Sequence, residues 1–179
     1  MNVQGIVGVV GLTLVATACS ETDKPPTTAV AADSADQVLF DMVHYITIDG
    51  LRRVVLAADT AFFYQRAQSA EMLGLTVDFY TEEGAHSSTV TSREGTYNWR
   101  DQSMEARVDV VAVTPEDRRL TTDTLRYDRD RNEISGPSAF MFCGPDRQLE
   151  GDAFTSDPDF RRVQTTRPRR GQIGDVACR

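Results

Sequence analysis

From Val38 onward, apolar and polar residues alternate one for one. "VLFDMVHYITI" puts Phe40, Met42, His44, Ile46 and Ile48 on one side. "MEARVDVVAV" sets Met104, Ala106, Val108, Val110 and Ala112 against Glu105, Arg107 and Asp109, and "ISGPSAFMF" aligns Ile134, Gly136, Ser138, Phe140 and Phe142. A period of two marks a strand with one buried face. Turn formers punctuate these runs at Asp49-Gly50, Glu83-Gly84, Pro115-Glu116-Asp117, Gly136-Pro137 and Gly144-Pro145. Only "AADTAFFYQRAQSAEML" offers a helix any competition, because Ala, Gln and Glu are good helix formers.

A repeat decides against that helix. "VTSREGTYNWRDQSM" (90–104) and "LTTDTLRYDRDRNEI" (120–134) share one phrase, with Thr91 on Thr121, Tyr97 on Tyr127 and Met104 on Ile134. "LAADTAFF" (56–63) matches "LTTDTLRY" (120–127), with Asp59 on Asp123 and Phe63 on Tyr127; "QRAQSA" then replaces "DRDRNE", and Met72 is aligned with Ile134. A partial further copy starts at "LEGDAFTSD" (149–157). The unit, about thirty residues of strand, polar turn, strand and longer connection, cannot bury its apolar face alone, so its copies must stack into one sheet system. The pattern predicts an all-β antiparallel sandwich, roll or barrel.

Composition adds the context. Residues 1–18, MNVQGIVGVVGLTLVATA, carry no charge and end in small residues before Cys19, as a secretory signal does. The "VATAC" exit resembles a bacterial lipoprotein signal, in which Cys19 is lipidated and becomes the mature N-terminus. Residues 19–36, rich in Ser, Thr, Pro, Ala and Asp, read as a flexible tether. One folded domain spans 37–165, and residues 166–179 form a C-terminal tail. The net charge of −8 argues against nucleic acid as a partner. The basic run "RRVQTTRPRR" (161–170) reads first as a solvated face. Export to an oxidising compartment makes a disulfide between Cys143 and Cys178 an expectation beside two free thiols.

Candidate chemistry is sparse. Two histidines, His44 and His86, and no Cys/His cluster argue against a metal site, and no cofactor is called for. Neither a G-x-S-x-G elbow nor a P-loop occurs, so the chain is expected not to be an enzyme.

The order "TSREGTYN", "MEARVDVV", "LTTDTLRYDRDRNEIS", "LEGDAFTSDPDF" resembles the LptC/OstA-like proteins of lipopolysaccharide export. Leu120, Thr122, Leu125, Tyr127 and Ile134, then Leu149, Gly151, Phe154 and Asp157, carry the most specific part. The resemblance implies a twisted β-roll (a β-jelly roll of repeated hairpins) open along one side as a V-shaped slot. It implies lipopolysaccharide acyl chains between the sheets, with Leu75, Val77, Phe79, Val108, Val110, Phe140 and Phe142 lining the slot. The same side chains would fill an ordinary core equally well. Rolls of the family join edge to edge, here along Val38–Ile48 and about Leu149–Thr155. The implied partners are an inner-membrane ABC transporter complex of the LptB/LptF/LptG type, an LptA-like bridging protein, and the membrane through the N-terminal lipid. The implied location is the periplasm, anchored to the inner membrane, although Ser20 after the cysteine leaves the outer membrane open. Two rival readings are an adaptor that docks rolls without carrying lipid, and an outer-membrane lipoprotein that binds another lipid or a glycan.

Overall fold

The computed structural model describes residues 35–174. Eleven antiparallel strands follow in chain order: β1 (Gln37–Ile48), β2 (Leu51–Tyr64), β3 (Ser69–Tyr80), β4 (His86–Asn98), β5 (Ser103–Val113), β6 (Arg119–Asp128), β7 (Glu133–Gly136), β8 (Phe140–Gly144), β9 (Arg147–Gly151), β10 (Phe154–Ser156) and β11 (Pro168–Ile173). The first six form a meander, and the sheet then forks: β6 pairs β7 at one end and β8 at the other, β7 pairs β10, and β8 continues through β9 to β11. β1 and β11 stand at opposite ends of the order and do not pair, so the sheet is unclosed. All-β architecture in a twisted, open roll is therefore what the alternation produces.

The repeat is visible as a turn. The three hairpins β2–β3, β4–β5 and β6–β7 close on Gln68, Gln102 and Asn132, each in the left-handed region with φ of 54°, 55° and 48°. Gln68 N donates to Gln65 O at 3.2 Å and Asn132 N to Arg129 O at 3.1 Å, so the turns are built alike. Across them Phe63 faces Ala70, Tyr97 faces Met104 and Tyr127 faces Ile134. Ala70, not Met72, is thus the equivalent of Ile134. The turn length sets which residue stands opposite, and matching by side-chain bulk slipped the alignment by one inward position.

Every long strand is interrupted at matching heights. Between β1 and β2 the pairing passes from Phe40↔Thr60 to Met42↔Ala58 and skips Asp41 and Asp59. Gly74 and Arg93 are skipped between β3 and β4, and Val108-Asp109 between β5 and both of its neighbours. The line continues through Pro137–Ala139, which separate β7 from β8, and through Asp152-Ala153, which separate β9 from β10. Asp41, Gly74, Val108 and Asp109 all have left-handed backbones along it, with φ of 50°, 63°, 63° and 54°. At β5 the break carries an extra residue against both neighbours, a bulge, and a bulge bends a strand and raises its twist. The sheet therefore folds along a crease into two leaves, and repeat positions Asp59, Arg93, Asp123 and Asp152 all fall on or beside it.

Candidate functional site

The inward residues of both leaves merge into one core. Leu56, Leu75, Val77, Phe79, Val110, Leu120, Phe140 and Phe142 come from the first leaf, which carries the 49–50 turn; Met72, Tyr97, Met104, Leu125, Tyr127, Ile134 and Phe154 come from the second. Two ring contacts between the leaves are offset by three strands, whereas Phe140 of β8 and Phe154 of β10 meet across the crease at 4.9 Å. The His44 ring of β1 lies 5.6 Å from Tyr97 of β4, and Phe79 of β3 lies 5.0 Å from Tyr127 of β6, edge to face. Beside the Phe79–Tyr127 pair a cleft of about 870 Å³ opens, lined by Arg53, Phe79, Tyr127, Arg129, Pro158 and Arg162 among others. Burial raises the Tyr127 phenol above its ordinary range against the opposing charges of Arg53 and Arg129, and raises that of Tyr97 against Arg129.

Of the residues expected to line a slot, Leu75, Val77, Phe79, Val110, Phe140 and Phe142 are brought together between the leaves, all buried. Val108 is not among them. It is 39% exposed, because two consecutive left-handed residues at 108 and 109 turn this part of β5 outward. Asp109 points to solvent beside it and binds Arg93 at 2.6 Å. Cys143 is disulfide-bonded. Cys178 and Cys19, with the tether and the leader, lie outside the described residues. Among the described residues no group of His, Cys, Asp and Glu side chains could hold a metal ion.

The two ends of the roll differ. β1 is an edge strand with apolar side chains in solvent on both faces: Phe40 is 74% exposed, and Leu39, Val43 and Tyr45 are exposed with it. At the far end, the edge expected over about Leu149–Thr155 is not free along Leu149–Gly151. β11 lies along it, pairing Gly171 with Leu149 and Ile173 with Arg147, and Arg169 forms an ion pair with Asp152. The basic tail thus extends the sheet past the boundary at 165 by backbone pairing and the Arg169 ion pair, while the side chains of β11 stay exposed, as its charge suggested.

Sequence reasoning also missed the segment between β10 and β11. Phe160 and Val163 are 1% and 5% exposed and belong to the common core. Ser88, fully buried in β4, donates to Pro158 O at 2.7 Å, and Ser87 donates to Asp159. The signal was present in "DPDF", where an aromatic follows a turn, but the polar run around it read as surface.

Comparison with known proteins accords with this architecture. The LptC family, described as lipopolysaccharide-assembly, LptC-related, matches residues 6–164. Among solved structures the chain is similar to LptH, the LptA-homologous periplasmic component of the conserved lipopolysaccharide transport device from Pseudomonas aeruginosa. The TM-score is 0.51 at 13% identity, covering 64% of this chain and 82% of that one. No curated protein matches in sequence. With the match running over most of its length, the chain belongs to the LptC-related family of lipopolysaccharide-assembly proteins, and its role lies in lipopolysaccharide transport.

Proposed function

We propose that this chain is a periplasmic lipoprotein, anchored through Cys19, that takes lipopolysaccharide acyl chains between its leaves and passes them to a neighbouring roll. β1 receives cargo from an inner-membrane ABC transporter complex of the LptB/LptF/LptG type, and the C-terminal edge delivers it to an LptA-like bridging protein. No covalent chemistry is asked of the chain. The observation that carries this reading is the uncovered apolar β1 at the end of an unclosed sheet, continuous with an interior lined by Leu75, Val77, Phe79, Val110, Phe140 and Phe142. An exposed apolar edge strand is a template for strand addition by a partner. Acyl chains gain ~0.8 kcal/mol per methylene buried, before ordering costs, and reach the interior when the leaves part at Phe79 and Tyr127.

One observation favours a second reading: the six lining residues are covered by the chain's own core. In the adaptor reading they are only core, and the roll docks its neighbours without carrying lipid. Photocrosslinking in cells separates the two. A photoreactive side chain at Val110 or Phe140, with Asp109 as the outward control, is expected to give lipopolysaccharide adducts at the inward positions alone. Protein adducts from β1 with no lipid adducts from inside would establish the adaptor.

A further inference from the structure

β10 ends on the second leaf and β11 lies on the first, so residues 157–164 begin the crossing between them. From the second leaf, Phe154 of β10 packs on Phe140 of β8, with ring centroids 4.9 Å apart. Val110 of β5, Leu120 of β6 and Phe142 of β8, on the first leaf, are about 1% exposed. Phe160 and Val163 complete the cover, joining the same cluster from the crossing segment. Few backbone pairings hold that segment, among them the isolated bridge between Thr155 and Gln164. Side chains do most of the rest: Ser88 on Pro158 O, Ser87 on Asp159, and the Asp157 carboxylate accepting from Arg161 N at 2.9 Å and Arg162 N at 3.4 Å. Phe160 itself has a left-handed backbone, φ 52°. A bulky residue holds that conformation only where its surroundings impose it.

We propose that residues 157–164 are a displaceable cap on the C-terminal end of the apolar interior. Phe160 and Val163 occupy the surface that an acyl chain must reach to leave the roll there, so cap and cargo exclude each other. The inference rests on the transport reading and adds a direction to it: the receiving end at β1 stands open, while the delivering end is shut by the chain itself. Cargo binding is weakened by whatever fraction of molecules is capped, since apparent affinity scales with the binding-competent population. A partner docking at the C-terminal edge would relieve the block by drawing the segment away.

The test titrates the purified full chain with cis-parinaric acid, a straight-chain fatty acid whose fluorescence rises in apolar surroundings. Ser87→Ala with Ser88→Ala unties the segment and leaves the large core side chains in place. Phe160→Ala removes the plug. Both are expected to bind the probe roughly tenfold more tightly than the parent chain. Probe held at the exposed β1 surface contributes equally to all three and cannot create that ratio. If Phe160→Ala fails to fold, the serine pair decides alone. Equal affinity in parent and variants, all carrying lysines at Val43 and Tyr45 to remove the exposed β1 surface, overturns the cap and leaves the lipid-binding interior standing; no binding by any of them overturns both.

Discussion

Gly95 lies just past the crease in β4, and a methyl group there would stand 2.3 Å from Leu75 Cδ2 and 3.3 Å from its Cγ. Carbon atoms rest at about 3.5–4.0 Å, so Leu75 or the strand must move by more than roughly 1 Å. Leu75 is 2% exposed and has nowhere to retreat. Overpacking of this kind costs about 1–3 kcal/mol. Alanine in place of glycine also restricts the unfolded chain, which returns about 0.4–1 kcal/mol. Gly95→Ala is therefore expected to lose about 1–2 kcal/mol, a fall in Tm of about 2–4 °C per kcal/mol for a domain of this size. Leu75→Ala alone costs about 2–5 kcal/mol. Combined, the truncated leucine leaves room for the new methyl group, so the double variant should be more stable than the summed losses by about 1–2 kcal/mol. Urea unfolding followed by the fluorescence of Trp99, whose ring lies 6.2 Å from Phe63, measures all four members of the cycle. Additivity within about 0.5 kcal/mol would refute the reasoning, because it would mean that the crease does not lay Leu75 over Gly95.

Burial holds the Tyr127 phenol above its ordinary range. Its contribution to stability is full below the unfolded value of about 10 and is lost as pH rises from there through the folded value. Tyr127→Phe should therefore lose less stability than the parent above about pH 10, and the parent's phenolate absorbance should rise late; identical alkaline profiles would exclude Tyr127 as the group. Burial opposes ionisation of Glu105, but hydrogen bonds and charge from Arg126 (2.6 Å) and Arg107 (3.3 Å) outweigh it and hold the carboxyl below its ordinary range. That contribution is present above the unfolded value of about 4.3 and lost as pH falls through the folded one, so Glu105→Gln is expected to flatten the acid limb of thermal stability against pH. Lysines at Val43 and Tyr45, 52% and 58% exposed, should leave unfolding unchanged within about 0.5 kcal/mol and abolish crosslinking of β1 to its partner in cells. Retained crosslinks would place the docking surface elsewhere.

Much of the sheet was legible because strand alternation and turn chemistry are local. The phrase around Tyr97 and Tyr127 located three hairpins, and Asp49-Gly50 turns with both residues left-handed, φ 52° and 78°, as its composition suggests. The "AADTAFFYQRAQSAEML" stretch became β2 and β3 despite its helix formers, since the repeat required a strand there. Alternation misled where the backbone left the pleat. Phe40 and Val108 share a parity with buried neighbours, yet each lies at a left-handed break, at Asp41 or at 108–109, and both are exposed.

By itself the sequence determined the class of fold, the repeat and most of the inward-facing residues, because in-or-out placement along a strand depends only on a period of two. Tertiary structure alone decided how the inward faces meet. Fold angle at the crease and the three-strand offset come from twist accumulated over the whole sheet, which no short window encodes. Tertiary packing also brought Phe160 into the core from the segment after β10, with Ser88 and Pro158 joined across 70 residues. At the other end Phe40 of β1 stays 74% exposed. The tail strand β11 was equally unreadable, since backbone pairing to an edge asks little of the side chains that a sequence displays.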